Sequence, residues 1–512
     1  VPGEMTTQPL QRIGLVGTGT MGRGIAQVMA MAGLKVFLFD ARPGAAATAR
    51  EQLATIFAQQ IEKARITPQG AAAAMLNLEV VDSLQALCDC QLVIEAIVED
   101  LEAKQQLFRQ LEEVLAPSAI LASNTSSLSI TAIASVCRHP ERVAGLHFFN
   151  PVPRMRIVEV IDGLATSVGA RLQELVRAIG YYPARAKDSP GFIVNHAGRA
   201  FGTEALRILS EGVAPAWRID ALLRDSAGFA MGPFELLDLI GLDVSVPVME
   251  SVYRQFYEEP RYRPHPVLRL MQAGGRLGRK SGQGFYLYDE PGDTRRPPQA
   301  VPHCAALPPV WIAADDEVGR LRLLDLLERL GAKVENGLRP SSSALCLVAP
   351  LGDDASEAAL RHATDPSRTV AIDTLTALDS QRCLMLNPAT REDMQHAAHA
   401  LFSADGGTVT LIRDSCGFIV QRTLASIVNL ACDIAQQGIA SVADIDAAVR
   451  LGLGYPLGPL EWGDQLGPER LLQILERLHA LTGDPRYRPS GWLRRRALLG
   501  LSLRQPENPM PA

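Results

Sequence analysis

A histidine and a glutamate, the pair that most often shares proton-transfer work, sit within one short stretch of the 512-residue chain: GLHFFNPVPRMRIVEVI, residues 145–161. His147 closes one β-like run and Glu159 lies inside the next, with the proline-rich PVPRM between them. If the runs fold back antiparallel, the turn centres near Pro153 and the two residues stand equally far from it. Facing residues project to the same side of a sheet. A carboxylate beside an imidazole fixes its tautomer and orientation, as a general base requires. The same geometry describes a His/Glu pair that merely closes a sheet edge, and this stretch alone leaves both readings open.

A second group is GTGTMGRG, residues 17–24. Gly17, Gly19 and Gly22, with Thr20 and Met21 between them, satisfy G-x-G-x-x-G after the β-rich run 12–16 and at the start of a helical stretch. That stretch carries Ile25, Val28 and Met29 on one face and stops at Gly33, and KVFLFD then ends in Asp40. The first glycine permits a tight turn, the second lets backbone approach a pyrophosphate, and the third allows close helix–strand packing. Asp40 can accept both adenosine ribose hydroxyls and repels a 2′-phosphate, which favours NAD over NADP. Arg42 nearby either softens that exclusion or is a solvated loop cation.

The elements that must position these groups alternate. Residues 43–78 are Ala- and Gln-rich and read as helix with a break near 67–70; 91–97 is an apolar strand, and a periodic helix starts at Leu101. Residues 119–125 and 143–149 are two more strands, so a doubly wound α/β sheet is expected. Such sheets place ligands at the carboxyl ends of their strands. Glu99, Ser126, His147 and Asn150 all fall there. Each alone also reads as a cap or turn former; their convergence on one edge favours a site.

Composition narrows the class. The length suggests about three or four domains, and 47% hydrophobic with 21% charged residues is ordinary globular usage. A formal charge of −6 argues against a nucleic-acid surface. Of eight cysteines only Cys88 and Cys90 are close, which gives neither a disulfide framework nor metal spacing. The start VPGEMTTQPLQ lacks signal-peptide regions, and no uncharged apolar run spans a membrane, so a cytoplasmic protein is expected.

Beyond Asp188 the pattern turns helical, through PGFIVN and MGPFELLDLIG to GRKSGQGFYLYD at 278–289. Then much of it recurs. DSPGFIV at Asp188 returns as DSCGFIV at Asp414, Ile219-Asp220 as Ile445-Asp446, and Gly232-Pro233 with Glu235 and Asp238 as Gly458-Pro459 with Glu461 and Asp464, all at one constant offset along the chain. PRYRP occurs at both Pro260 and Pro485. The expected organisation is an NAD-binding Rossmann-like domain (10–187), a helical domain (188–289), a linker (290–308), a reduced Rossmann-like domain (309–412) and a second helical copy (413–505). In the reduced domain the glycine turn is replaced by ADDEVG, which puts two acids where phosphates would sit. Asn195 becomes Gln421, and GRKSGQGF has no visible counterpart. Aligning RCLMLNP with HFFNP places Leu384 at the position of His147, so one half is expected to be competent and the other a scaffold.

GTGTMGRGIA, EAIVED, SNTSS, HFFNPVP with VEVI, DSPGFIVN, MGPFELLD and GRKSGQGFY resemble, in order, the motif series of the 3-hydroxyacyl-CoA dehydrogenases over residues 12–289. The whole chain resembles bacterial long forms assigned to 3-hydroxybutyryl-CoA or 3-hydroxyadipyl-CoA oxidation. The resemblance implies His147 as base, Glu159 as its paired carboxylate, and Ser126 and Asn195 around the substrate's C3 oxygen. It implies Glu99, Lys104, Asn150 and Lys280 along the nicotinamide half of NAD. Lys63 matches a lysine that meets CoA phosphates, or is a solvated helix lysine. A CoA thioester substrate in fatty-acid β-oxidation or phenylacetate catabolism follows, with no metal, nucleic acid or membrane partner. The chain is expected to be a monomer with an internal pseudo-dimer or a homo-oligomer. Arg154, at the PVPRM turn, faces a tail carboxylate, a CoA phosphate or solvent. A dehydrogenase of free 3-hydroxy acids and a non-catalytic NAD- or CoA-binding scaffold are the alternatives.

Overall fold

The computed structural model describes residues 9–288, 301–304 and 306–507; most of the expected linker lies outside them. The first sheet has eight strands: β1 (Arg12–Val16), β2 (Lys35–Phe39), β3 (Leu78–Val80), β4 (Leu92–Glu95), β5 (Ile120–Ser123), β6 (Val143–Phe148), β7 (Ile157–Asp162) and β8 (Tyr182–Lys187). Their order is β3-β2-β1-β4-β5-β6-β7-β8, and only the β6–β7 pair is antiparallel. The central strands are buried along their whole length, as continuous apolar runs covered on both faces must be. One core holds Ile25 and Met29 of the Thr20–Met31 helix; the other holds Phe108 and Leu111 of the Leu101–Val114 helix. β3 and β8 escaped the sequence reading for a physical reason. β3 is three residues long, and β8 mixes buried positions with the partly exposed Arg185 and the exposed Lys187, as an edge strand does.

The second sheet has six strands, β9 (Val310–Ala314), β10 (Val334–Glu335), β11 (Leu345–Ala349), β12 (Thr369–Ile372), β13 (Gln381–Leu386) and β14 (Thr408–Arg413), in the order β10-β9-β11-β12-β13-β14. Here the antiparallel pair is β12–β13, so β12 is the counterpart of β6 and β13 of β7. The short 3-10 turns before them agree. Arg142 of Pro140–Arg142 donates to Ala116 O, and Arg368 of Pro366–Arg368 donates to Ser341 O, each just ahead of its strand. This corrects the expected alignment. Asp373 follows His147 at the same offset that relates the two helical copies, and it stands in the histidine's place. Its amide donates to Cys383 O across the hairpin, which puts Cys383 opposite it as Glu159 is opposite His147. Leu384 is not the counterpart. The Asn-Pro dipeptide misled because it marks a turn after any strand.

Two compact units emerge. One comprises residues through His196 together with 437–453; the other takes 197–436 and the chain from Gly454. In the first, Lys187 N donates to Ile439 O and Tyr182 OH to Asp444. In the second, Arg413 N donates to Val213 O. Lys187 and Arg413 occupy equivalent positions in the repeat, as do Val213 and Ile439, so the same hydrogen bond is made twice with the two helical copies exchanged. The sequence assigned 437–453 to the second helical copy, but the structure packs it on the first sheet.

GRKSGQGF also has a counterpart in role. Asp238 accepts the amides of Phe285 and Tyr286 at 3.0 Å and the Tyr288 hydroxyl at 2.9 Å. Asp464 accepts Leu503 N at 2.6 Å and Ser502 Oγ. Each acid pins the tail that follows its helices. Among the described residues no helix is long and apolar enough to cross a membrane, and no group of His, Cys, Asp and Glu is arranged to hold a metal ion.

Candidate active site

The β6–β7 register sets His147 opposite Glu159, and Nδ1 lies 2.6 Å from Glu159 Oε2. Glu159 is fully buried, and its other oxygen accepts Ile193 N and Val194 N, both at 2.9 Å. The PGF turn presents those amides, with Gly191 at φ 75° and Phe192 at φ 48°, a conformation a phenylalanine adopts only under constraint. Already accepting two backbone amides, the Glu159 carboxylate favours the tautomer in which Nδ1–H donates to it and Nε2 keeps its lone pair, the form a base needs. His147 is buried between Phe149 and Phe192. The amides that hold Glu159 lie directly before Asn195, so one carboxylate ties the His147 imidazole to the turn that carries Asn195.

The serine loop after β5 is positioned by Glu99. Its Oε1 accepts Thr125 Oγ1 at 2.7 Å, Ser126 N at 3.0 Å, and Ser127 N and Oγ at 3.1 and 2.9 Å. Burial alone would raise the Glu99 carboxyl; these donors and the Lys104 charge hold it below its ordinary value. Asn124 Oδ1 accepts Phe148 N at 2.8 Å, and Asn195 Nδ2 reaches Ser126 O at 3.4 Å, which joins the loop to β6 and to the Asn195 turn.

Lys104 is enclosed by two carboxylates. Its ammonium is 1% exposed, 2.9 Å from both oxygens of Glu95 and 3.4 Å from Glu99. The ammonium thus links the β4 acid Glu95 to Glu99, the acceptor of the serine loop. Glu95 and Ser123, hydrogen-bonded to each other, complete this buried floor, and the sequence reading missed both. The signal was a single acid inside the apolar run QLVIEAI, since a charge in a buried strand demands a partner.

At the glycine turn, Gly17 has φ 91° and a Cβ there would lie 2.7 Å from Ala96 O; a Cβ on Gly22 would lie 1.9 Å from Gly17 O. A Cβ on Gly19 would meet nothing within 4 Å, which leaves the helix amino terminus open to a diphosphate. These residues fit a dinucleotide. Thr18 N and Oγ1 donate to Asp40 at 2.9 and 2.8 Å. Burial tends to raise the Asp40 carboxyl, but the Arg42 and Thr18 donors outweigh it and hold the group well below the usual carboxylate range. In the second half the corresponding helix start is filled: Asp316 caps it at Gly319 N and pairs with Arg470 at 2.7 Å.

Of the other expected residues, Asn150 is exposed just after β6, and Lys63 is exposed at the end of the Ala45–Glu62 helix. Lys280 belongs to the second unit and pairs with Asp243 at 2.8 Å. In the second half Asp373 stands where the first has His147. Gln421, at Asn195's position, donates to Asp373 Oδ1 and to Pro350 O at 3.0 Å and accepts Gly352 N at 2.9 Å. The longer amide fills the space itself.

A glycine-turn dinucleotide cradle, next to an imidazole backed by a buried carboxylate, defines a doubly wound, NAD-binding dehydrogenase. The chain belongs to the 3-hydroxyacyl-CoA dehydrogenase family. The family's NAD binding domain matches residues 12–189, and its C-terminal domain matches twice, at 191–288 and 417–507. The chain is 41% identical over 96% of its length to 3-hydroxyadipyl-CoA dehydrogenase of Escherichia coli K12, covering 98% of that protein. It is 40% identical over 55% of its length to a probable 3-hydroxybutyryl-CoA dehydrogenase of Bacillus subtilis, covering 98% of that protein. A crystal structure described as 3-hydroxybutyryl-CoA dehydrogenase from E. coli K12 superposes with a TM-score of 0.83 at 39% identity, over 96% of this chain and 99% of the other. The protein is an NAD-dependent 3-hydroxyacyl-CoA dehydrogenase.

Proposed function

We propose that the chain oxidises (S)-3-hydroxyacyl-CoA thioesters whose acyl tail is short or ends in a carboxylate, with 3-hydroxyadipyl-CoA preferred, in fatty-acid or phenylacetate breakdown. The observation that carries the chemistry is the buried His147–Glu159 pair, 2.6 Å apart, with the imidazole's other nitrogen left as acceptor. His147 Nε2 removes the C3 hydroxyl proton, and Glu159 stabilises the resulting imidazolium. Ser126 and Asn195, on the loop and turn that Glu99 and Glu159 hold, orient the C3 oxygen, so fixed dipoles supply much of the rate. Bound NAD supplies the hydride acceptor. Glu99, Lys104 and Asn150 line the nicotinamide half of NAD, Glu99 also positions the serine loop, and Lys63 meets the CoA phosphates.

The tail preference rests on the full-length likeness to a 3-hydroxyadipyl-CoA dehydrogenase. Arg154, exposed on the turn between β6 and β7, is a cation available to a tail carboxylate. In an NADH absorbance assay, kcat/KM for 3-hydroxyadipyl-CoA is expected to exceed that for 3-hydroxybutyryl-CoA by about tenfold or more, the scale of one charge-assisted hydrogen bond. Arg154→Ala should erase that ratio if Arg154 holds the tail; an unchanged ratio assigns it to a CoA phosphate or to solvent. A preference for the unsubstituted substrate removes the dicarboxylate reading. Turnover of free 3-hydroxy acids alone, or of nothing, would favour the alternative enzyme or the scaffold.

The repeated hydrogen bonds Lys187–Ile439 and Arg413–Val213 support reading the tandem helical copy as a built-in partner subunit. Sedimentation is expected to find an active monomer. An obligate dimer whose activity falls on dilution removes this reading.

A further inference from the structure

We propose that Arg42 makes the adenosine end of the dinucleotide cradle a two-way site, so that NADP, whose ribose carries a 2′-phosphate, binds there alongside NAD. Asp40 is the residue expected to receive the ribose diol. A carboxylate offers about four lone-pair positions. In this chain protein donors hold them all. Thr18 N and Oγ1 lie 2.9 and 2.8 Å from Oδ2, Arg42 N and Nε lie 3.0 and 3.2 Å from Oδ1, and Arg42 Nη2 reaches Oδ2 at 3.3 Å. A ribose diol therefore finds no open acceptor until the guanidinium withdraws. The Asp40 side chain is 7% exposed and that of Arg42 75%, so an incoming ribose meets the cation before the carboxylate.

The chain builds this placement in. Asp40 Oδ1 accepts the Arg42 amide, a side-chain turn that fixes where the arginine starts. Ala45 N donates to Arg42 O, and Gly44 at φ 78° then opens the Ala45–Glu62 helix. Arg42 is thus held beside Asp40 by its backbone, and only its guanidinium is free to swing.

The consequence for the two cofactors is asymmetric. The NAD diol must replace the arginine fork on Asp40 and gains no charge in return. The 2′-phosphate of NADP keeps the guanidinium engaged in charge-assisted hydrogen bonds, while the same cation screens Asp40 from the phosphate. An exposed pair of this kind is weak, so displacing it lowers NAD affinity only a few-fold and NAD remains the tighter ligand.

The inference rests on the dinucleotide-binding reading of the glycine turn and not on the acyl substrate, so binding alone tests it. Fluorescence titration of the full chain with NADH and with NADPH is expected to give dissociation constants within about 100-fold of each other, and a steeper salt dependence for NADPH. Arg42→Ala should tighten NADH by about two- to fivefold and weaken NADPH by about tenfold or more. NADH binding with no measurable NADPH binding overturns the proposal and leaves the NAD site standing. Equal weakening of both by Arg42→Ala also overturns it, since the arginine is then a general adenosine or fold contact. If neither nucleotide binds, the dinucleotide reading itself fails, and the proposal with it.

Discussion

Replacing His147 by glutamine will lower kcat by about 10³- to 10⁴-fold, the range of a general base in a preorganised site, while NADH affinity stays within about twofold. Glutamine keeps a donor facing Glu159 and has much of the imidazole's bulk, so the β6–β7 hairpin and its packing on Phe149 and Phe192 survive. What disappears is the lone pair at Nε2. Single-turnover measurement of NADH formation separates this from slow product release, because a missing base slows the first turnover as much as the steady state. A loss of less than about tenfold would make the pair a sheet-edge contact and remove His147 from the chemistry.

Converting Glu159 to glutamine should cost about 10³-fold in kcat with little change in thermal midpoint or in KM, the effect of a wrong histidine tautomer. The amide oxygen must face the Ile193 and Val194 amides, each 2.9 Å away, since turning the NH₂ towards them would leave two buried donors unpaired. The NH₂ then points at His147 Nδ1 and forces that nitrogen to become the acceptor. The proton moves to Nε2, and the base is lost without any change in fold. Glu159→Ala would behave otherwise. It strips two backbone donors and an imidazole of their partner, so thermal stability should fall along with kcat. A Glu159→Gln variant that lost stability but kept turnover would reduce Glu159 to a structural acid.

Much of the first half was legible because its signals are local. A glycine fingerprint between a strand and a helix is a statement about φ angles and close approach, and Gly17 and Gly22 meet it within a few residues of chain. The His147–Glu159 pairing was legible for a similar reason, since a tight hairpin makes register a matter of counting from its turn. Where burial chooses the partner, the reading ran out. The letters did not show that Glu95 and Glu99 enclose Lys104, because burying an ammonium on the helix after β4 is tolerable only with an opposite charge beside it.

The second half shows the same division. That it is a copy, most of whose motifs recur at one offset, and that its counterpart of the glycine turn is acidic are plain in the letters. Which of its residues replaces the base was decided by strand direction. β13 runs antiparallel to β12, and that alone hands the histidine's position to Asp373 instead of Leu384.

The sequence by itself therefore determined the family, the dinucleotide turn, the His147–Glu159 hairpin and the duplication, all carried by short-range pattern. The tertiary structure decided which carboxylate holds which cation, where residues 437–453 pack, and what Gln421 bonds to in the second half. Those outcomes depend on burial and strand register, and a buried polar group takes whichever partner the packing brings within hydrogen-bond reach.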